Sequence, residues 1–503
     1  MSSNAETTFL WAWALLDGLA AAGVRRAVAS PGSRSTPLTL AALRHPDLTT
    51  HMVVDERSAA FFALGLAKAE AAPVVVIATS GSAVANWFPA VAEANMGRWP
   101  LILLSADRPP ELQDRGANQT MDQVSLFGSH VRAFHQLPPA EAETSWLAAL
   151  AARAVAVSCG PLPGPVHLNV PLREPLVPPS APPPKARASK QAEPLASRLI
   201  PTDETVVSID ALLSSGRGAI VCGSDDLGAG FHRAVVDLAD RLRVPVFADI
   251  LSGIRCGEPN GTAVLAHPDQ VARAAPAADW VLRFAGTPVS RALADWQGRC
   301  GDKAQVVVSG HPRLADPAGT ATHMIHADPA SLCRLLAGIP GRLRLFGNRG
   351  VSGIDGNLST AFGIAAARGT AVAVIGDLAL LHDLNALALG STHRLVVVVV
   401  DNGGGGIFDH LPQAGLPEFQ EAWLAPQSLS PADATRAFGL DYIGAGGVGA
   451  AVAAVQAALE RPVSTLVHIA IDRAVSLDRC RQFHSLYDQG ASVHDPVAAF
   501  PRR

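Results

Sequence analysis

Residues 376–408 read GDLALLHDLNALALGSTHRLVVVVVDNGGGGIF, and this stretch decides the fold. The run just before it, 371–375 (AVAVI), is short and wholly apolar, as expected of a strand buried on both faces of a parallel sheet. Gly376 and Asp377 end that strand. Residues 378–389 carry apolar side chains at helical spacing, and 395–400 is a second buried strand with five valines in six residues. It closes on Asp401, Asn402 and four glycines, 403–406. Asp377 and Asn402, 25 positions apart, therefore lie at the carboxyl ends of two strands joined by a helix, where open parallel sheets bind ligands. A carboxylate and an amide carbonyl are hard oxygen ligands. With a backbone carbonyl, waters and two phosphate oxygens they suit octahedral Mg2+. The glycines let the backbone approach a diphosphate closely and supply amide donors. The plainer reading is a helix cap at Asp377 and an ordinary turn at Asn402.

Outside this stretch, composition sets bounds. A chain of 503 residues is too long for one ordinary domain and points to about three. Hydrophobic residues are 49% and charged residues 17%, enough for large cores. A net charge of −4 gives no sign of nucleic-acid binding. The six cysteines are scattered without a CxxC pair, which fits reduced thiols in a cytoplasm better than a disulfide frame or zinc site. The N-terminus lacks a basic start and a cleavable apolar core. No apolar run reaches the ~18–20 residues that span a bilayer. A cytoplasmic protein with no membrane span is expected.

In chain order, 7–22 predicts a helix stopped by Gly23. The phrase SPGSRS (30–35) follows a strand and sets one arginine, Arg34, among small polar groups; Ser35 is a candidate N-cap. Glu56 stands at a strand-to-helix junction before an Ala-rich helix, 58–68, where a first-turn acid is also favoured by the helix dipole. Strands follow at 74–77, 101–104 and 166–170, with TSGSA (79–83) opening a helix to about Asn95. Proline-rich 171–194 reads as a semi-rigid linker. Strands resume at 219–222, 244–248, 281–284 and 305–308, alternating with helices such as 232–243. GSDDLGAG (223–230) lacks the full GxGxxG pattern, so a dinucleotide is weakly supported. A third unit starts near 343–346 and ends with a strand at 466–471. Strands alternating with helices imply an α/β protein of doubly wound parallel sheets.

Gly-Asp, two dozen residues and Asn resemble the thiamine diphosphate motif of the pyruvate decarboxylase and acetolactate synthase superfamily. Within it, the chain closely resembles the 2-succinyl-5-enolpyruvyl-6-hydroxy-3-cyclohexene-1-carboxylate synthase family. The matching phrases are SPGSRSTPLTLAA (30–42), DERSAAFFALGLAK (55–68), TSGSAVAN (79–86), SADRPPEL (105–112), GANQ (116–119), NRGVSGIDG (348–356), GDLALLHDLNALAL (376–389) and DNGGGGIF (401–408). The resemblance implies three thiamine diphosphate-enzyme domains: a pyrimidine-binding domain (1–175), a middle domain (199–338) after the linker (176–198), and a diphosphate- and metal-binding domain (339–503).

It also implies roles. Glu56 is the catalytic glutamate, on the pyrimidine ring of the cofactor. Ser80, Gly81, Ile354, Gly376, Leu378, Gly405, Ile407 and Phe408 line the cofactor; for Ile354, Ile407 and Phe408 plain core burial is the other reading. Asp377, Asn402 and the Gly404 carbonyl hold Mg2+ or Mn2+. Ser33, Arg34, Arg108, Asn118, Gln119 and Arg291 contact substrate, as suits two dianions. The implied reaction is decarboxylation of 2-oxoglutarate and 1,4-addition of the resulting succinyl semialdehyde carbanion to isochorismate, in menaquinone biosynthesis. The implied assembly is a homodimer or a dimer of dimers.

Two departures stand out. The middle domain carries Arg291-Ala292 where a basic pair is expected. Residues 326–346 pass directly into Gly347-Asn348-Arg349 without the longer family segment that includes a Gly-Asn-Ser turn and a substrate-contacting arginine. A strand–helix pair of the third domain is expected to be missing. Two alternatives stay open: another 2-oxo-acid decarboxylase or synthase on this scaffold, and a cofactor-binding remnant with impaired catalysis.

Overall fold

The computed structural model describes residues 4–141, 143–178, 199–213, 216–225, 227–256, 263–313, 315–333, 346–348, 353–426 and 429–488. Most of the proline-rich linker, the stretch 334–345 and residues 349–352 of the NRGVSGIDG phrase lie outside them. The chain divides into two compact units, Met1–Leu195 with Asn348–Arg473, and Ala196–Gly347 with Ala474–Arg503.

The first unit holds two parallel sheets. Strands β1 (Arg26–Ala29), β2 (Thr49–Met52), β3 (Val74–Ala78), β4 (Leu101–Asp107), β5 (Ala133–Gln136) and β6 (Val166–Pro171) form a six-stranded sheet in the order β2-β1-β3-β4-β6-β5. Strand period two sorts their side chains onto two faces. Val74, Val76 and Ala78 join Phe62 and Leu66 of the helix Glu56–Glu70 in one core. Val75 and Ile77 face the opposite way, against Leu15, Leu16 and Leu19 of the helix Asn4–Ala21. Burying each such side chain stabilises the fold by about 1.5–3 kcal/mol.

The second unit is one parallel sheet, with β7 (Gly218–Cys222), β8 (Val246–Ala248), β9 (Trp280–Phe284), β10 (Ala304–Ser309) and β11 (His323–His326) in the order β11-β10-β9-β7-β8. It too has a core on each face.

Back in the first unit, β12 (Ala371–Gly376), β13 (Leu395–Asp401), β14 (Asp441–Gly444) and β15 (Thr465–Ala470) make a four-stranded parallel sheet, β12-β13-β15-β14. This order repeats β3-β4-β6-β5 of the first sheet. Among the described residues, counterparts of β1 and β2 are absent, so β12 is an edge. That corrects the expectation of a strand buried on both faces. Val372 is 44% and Val374 70% exposed, whereas β13 is buried over Leu395–Val399. Val396 and Val398 of β13 pack under Ala454 and Ala458 of the helix Val448–Glu460, a cover that does not extend over Val372 and Val374.

The two sheets share a core. Their helices Glu56–Glu70 and Asn357–Arg368 cross at paired glycines. A Cβ on Gly65 would lie 2.0 Å from the Thr360 carbonyl oxygen, and one on Gly363 would lie 2.0 Å from that of Phe62. Each glycine faces the residue three places before the other, so the contact has local two-fold character.

Local corrections are small. The 378–389 run is not one helix: Asp377–His382 is α-helical and Leu384–Ser391 is a 3-10 turn, with the break at Asp383. The helix expected to reach Asn95 is split into Ser82–Ala85 and Phe88–Gly97. Ser35 holds the N-cap position but its hydroxyl turns back to the Gly32 carbonyl, 3.1 Å away, and caps nothing. Gly23 ends the first helix at φ +108°. Among the described residues no helix is long and apolar enough to cross a membrane.

Candidate active site

The carboxyl edge of the first sheet gathers most of the expected substrate residues. Arg34 is buried; its Nη1 donates to the Leu172 carbonyl at 2.8 Å and its Nη2 to Glu174 Oε1 at 3.0 Å. Its Nε is buried with no partner. Arg108, at the end of β4, donates through Nη1 to the Ser80 hydroxyl. That hydroxyl donates to the Gln119 carbonyl at 2.9 Å, and Gln119 Nε2 returns a bond to the Ser80 carbonyl at 3.0 Å. Burial and the neighbouring Arg34 cation pull the Arg108 guanidinium below its usual range, against Asp107 and Glu174. Two cations held this close, one with a spare buried donor, favour an anion. Ser33 and Asn118 lie exposed on the same loops.

A buried polar network that the sequence reading missed supports this edge. Gly81, at φ +80°, donates its N–H to Gln123 Oε1 at 2.9 Å. Gln123 Nε2 donates to Asn169 Oδ1 at 2.8 Å, and Asn169 Nδ2 to Asp107 Oδ2 at 2.8 Å. Ser105 bridges Asn169 and His167, each at 2.7 Å. Burial pushes Asp107 up and His167 down, the latter to about 3. The signal was His167 and Asn169 in an otherwise apolar strand, VHLNV.

The carboxyl edge of the third sheet brings Asp377, Asn402 and the glycine run together. Asp377 accepts from Leu378 N–H at 2.9 Å and from Gly404 N–H at 2.6 Å. Asn402 Oδ1 accepts from Gly406 N–H at 3.1 Å. Gly404 and Gly405 both stand at φ +86°; a Cβ on Gly404 would come 1.9 Å from the Ala425 oxygen, so glycine is required there. Asp377 also meets the Asp401 carboxyl. Burial first, then Asp401, pushes Asp377 up, while hydrogen bonds from Leu378 and Gly404 oppose. Burial raises Asp401 too, but bonds from Gly403 N–H, His468 and Asp377 outweigh it and hold Asp401 below the usual range.

These residues fit a divalent cation with a diphosphate. Two facing carboxylates are relieved by positive charge, and each carboxylate oxygen keeps lone pairs beyond its amide donors. Among the described residues no group of three or more His, Cys, Asp or Glu forms a metal site. The expected set does not need one, since it combines a carboxylate, an amide and a carbonyl.

The apolar residues split. Ile407 is 70% and Ile354 46% exposed, so neither is plain core; Phe408 and Leu378 are half-buried, and Gly376 is exposed. Glu56 opens its helix behind the N-cap Asp55, which accepts from Ser58 N–H at 2.7 Å. Glu56 itself makes no hydrogen bond or ion pair with a described residue. Its neighbours touch the last residue of the helix Asp377–His382 and the 3-10 stretch after it: Arg57 Nη2 donates to the His382 carbonyl at 3.3 Å, and Asn385 Nδ2 to Ser58 Oγ at 2.8 Å. Arg291 lies in the second unit, 89% exposed, in an i,i+4 pair with Asp295 at 2.9 Å.

Comparison with known proteins decides between the scaffolds. Residues 11–126 match the family described as thiamine pyrophosphate enzyme, N-terminal TPP binding domain. The chain is 41% identical to the 2-succinyl-5-enolpyruvyl-6-hydroxy-3-cyclohexene-1-carboxylate synthase of Dechloromonas aromatica (strain RCB), over 88% of this chain and 94% of that protein. The chain belongs to the 2-succinyl-5-enolpyruvyl-6-hydroxy-3-cyclohexene-1-carboxylate synthase family. Synthases of the same name from Geobacillus kaustophilus (strain HTA426) and Halobacterium salinarum (strain ATCC 29341 / DSM 671 / R1) are 38% and 36% identical, over 86% and 93% of this chain and 90% and 96% of theirs. The synthase family fixes the class: a thiamine diphosphate-dependent transferase of menaquinone biosynthesis. The match to the Dechloromonas synthase runs over 523 positions, while 88% of 503 residues is about 443. About 80 positions therefore fall where this chain has no residue, in keeping with a chain shortened internally.

Proposed function

We propose that this chain catalyses the full synthase reaction: 2-oxoglutarate loses CO2, and its remaining four-carbon unit adds to the double bond of isochorismate. The observation that carries this reading is the Arg34–Arg108 pair at the first sheet's edge, two cations with a spare buried donor, suited to dianionic substrates. Arg34 and Arg108 bind substrate carboxylates, while Ser33, Asn118, Gln119 and Arg291 orient the acceptor. Glu56 holds a proton at the pyrimidine N1′ atom. Asp377, Asn402 and the Gly404 carbonyl hold Mg2+ or Mn2+, and Ser80, Gly81, Gly376, Leu378 and Gly405 shape the cradle. Ile354, Ile407 and Phe408 offer apolar surface for the cofactor to cover. Thiamine diphosphate, when bound, supplies the electron sink for decarboxylation.

The same reading takes residues 1–175, 199–338 and 339–503 as pyrimidine, middle and diphosphate domains joined by the 176–198 linker. It takes the working form as a homodimer or dimer of dimers in the cytoplasm, where six cysteines outside any disulfide are at home.

One observation favours a second reading, a cofactor-binding remnant: the third sheet has four described strands where the first has six. Product analysis separates the readings. The full reaction gives a succinylated cyclohexene product only when both substrates are present. A simple decarboxylase releases CO2 from 2-oxoglutarate alone. A remnant binds thiamine diphosphate and consumes neither substrate.

A further inference from the structure

Each strand of the third sheet contributes one polar side chain to a line that ends at the candidate metal site. Across the sheet the strands run β12-β13-β15-β14. In the same order come Asp377, just after β12, Asp401 at the end of β13, His468 in β15 and Tyr442 in β14. Asp377 meets Asp401 through their carboxyl groups. Asp401 Oδ2 lies 2.9 Å from His468 Nε2, and His468 Nδ1 lies 2.9 Å from the Tyr442 hydroxyl.

The proton directions follow from the donors available. Asp401 Oδ1 already accepts from Gly403 N–H at 3.0 Å. The carboxylate is an acceptor toward the imidazole, so His468 Nε2 carries the hydrogen and donates. In the neutral imidazole Nδ1 is then the lone-pair nitrogen and accepts from the Tyr442 O–H. One tautomer satisfies both bonds. Asp401 is thus held from two sides, by the first amide of the glycine run and by the imidazole. Asp401 also immediately precedes Asn402, so its orientation sets where Asn402 and the glycines begin.

We propose that His468 and Tyr442 are positioning residues for the metal–diphosphate site: Tyr442 anchors the imidazole at Nδ1, and His468 clamps Asp401 so that Asp377 and Asn402 present their oxygens to one cation. This rests on the reading of that edge as the Mg2+ and thiamine diphosphate site. Neither residue touches the cation, and outer partners of this kind commonly change metal affinity by 10–100-fold. If the chain of bonds served only to pin the edge strand β14, its loss would lower stability and leave metal affinity alone.

The test uses the full chain with thiamine diphosphate present. Mg2+ affinity is measured by calorimetry, bound Mn2+ by its paramagnetic resonance spectrum, and thermal midpoints in parallel. His468→Ala is expected to weaken the cation on the order of 10–100-fold. His468→Gln, whose amide nitrogen can replace Nε2 as donor, is expected to recover most of that loss. Tyr442→Phe is expected to give a smaller loss with an altered Mn2+ spectrum. Wild-type affinity in His468→Ala overturns the proposal. So does an equal loss in the Ala and Gln variants that tracks their thermal midpoints, because that is a structural role. A wild-type protein that binds thiamine diphosphate equally well without a divalent cation overturns the reading of the site itself, and the inference with it.

Discussion

Asp377 stands where a helix begins, where the Gly404 amide donates and where a second carboxylate faces it. On the proposed reading of this edge, removing it leaves a diphosphate with one anionic metal ligand fewer. Asp377→Ala is expected to abolish divalent-dependent thiamine diphosphate binding; unchanged cofactor affinity in calorimetry would show that the cation sits elsewhere. Arg34 and Arg108 lie at the other edge and, on the proposed reading, serve the substrates. Each Ala substitution is expected to remove a charged hydrogen bond worth about 1.5–3 kcal/mol from substrate, roughly 10–150-fold in kcat/KM, with cofactor affinity near wild type. Normal turnover in either variant would contradict their assignment. Their placement was legible because it is local: Arg34 and Arg108 each follow a strand into a loop, and Asp377 follows one and opens a helix, each within one short phrase. That of His468 and Tyr442 was not. Their partners come from strand order across a sheet, and 468 − 401 = 67 positions of chain separate one hydrogen-bonded pair.

At the scale of elements, the contact between the helices Glu56–Glu70 and Asn357–Arg368 depends on two glycines with no room for a Cβ. Gly65→Ala would set a methyl against the Thr360 carbonyl and force the helices apart. Overpacking of this kind costs about 1–3 kcal/mol or more, so a clearly lowered thermal midpoint is expected. Gly449→Ala, in the helix Val448–Glu460 with nothing within 4 Å of the new Cβ, is the control and should be neutral or slightly stabilising. Equal midpoints for the two variants would mean that the helices can separate without cost. The strands β3, β4, β6, β7, β9, β10, β13 and β15 were readable as apolar runs, because burial on both faces demands them. The short edge strands β5, β11 and β14 were not, being polar and half-exposed. For β12 the run was right and its burial wrong, since periodicity within a segment carries no information about its neighbours.

Across the whole molecule, the third sheet repeats four strands of the first, and a polar histidine recurs after a valine in both β6 and β15. Glu56 and Asp377 belong to opposite members of this pair. Within one chain the first turn of the Glu56 helix reaches His382, about 7.5 Å of helix beyond Asp377, and not Asp377 itself. The proposed dimer is read with its active site shared between two chains, Glu56 from one and Asp377 from the other. Mixing Glu56→Gln chains with Asp377→Ala chains should restore activity after subunit exchange, because one of the two sites then carries neither defect. Exchange confirmed by mass with activity still absent, while wild-type chains survive the same protocol, would rule the shared site out.

On the proposed function, this shortened member of the family still performs the two-substrate reaction. It is tested most directly by supplying 2-oxoglutarate labelled at the C1 carboxyl, with thiamine diphosphate and Mg2+, and counting labelled CO2 with and without isochorismate. CO2 release is expected to depend on isochorismate and to match its disappearance one for one. Release at the same rate without isochorismate, or none from a protein that has bound thiamine diphosphate, would contradict it.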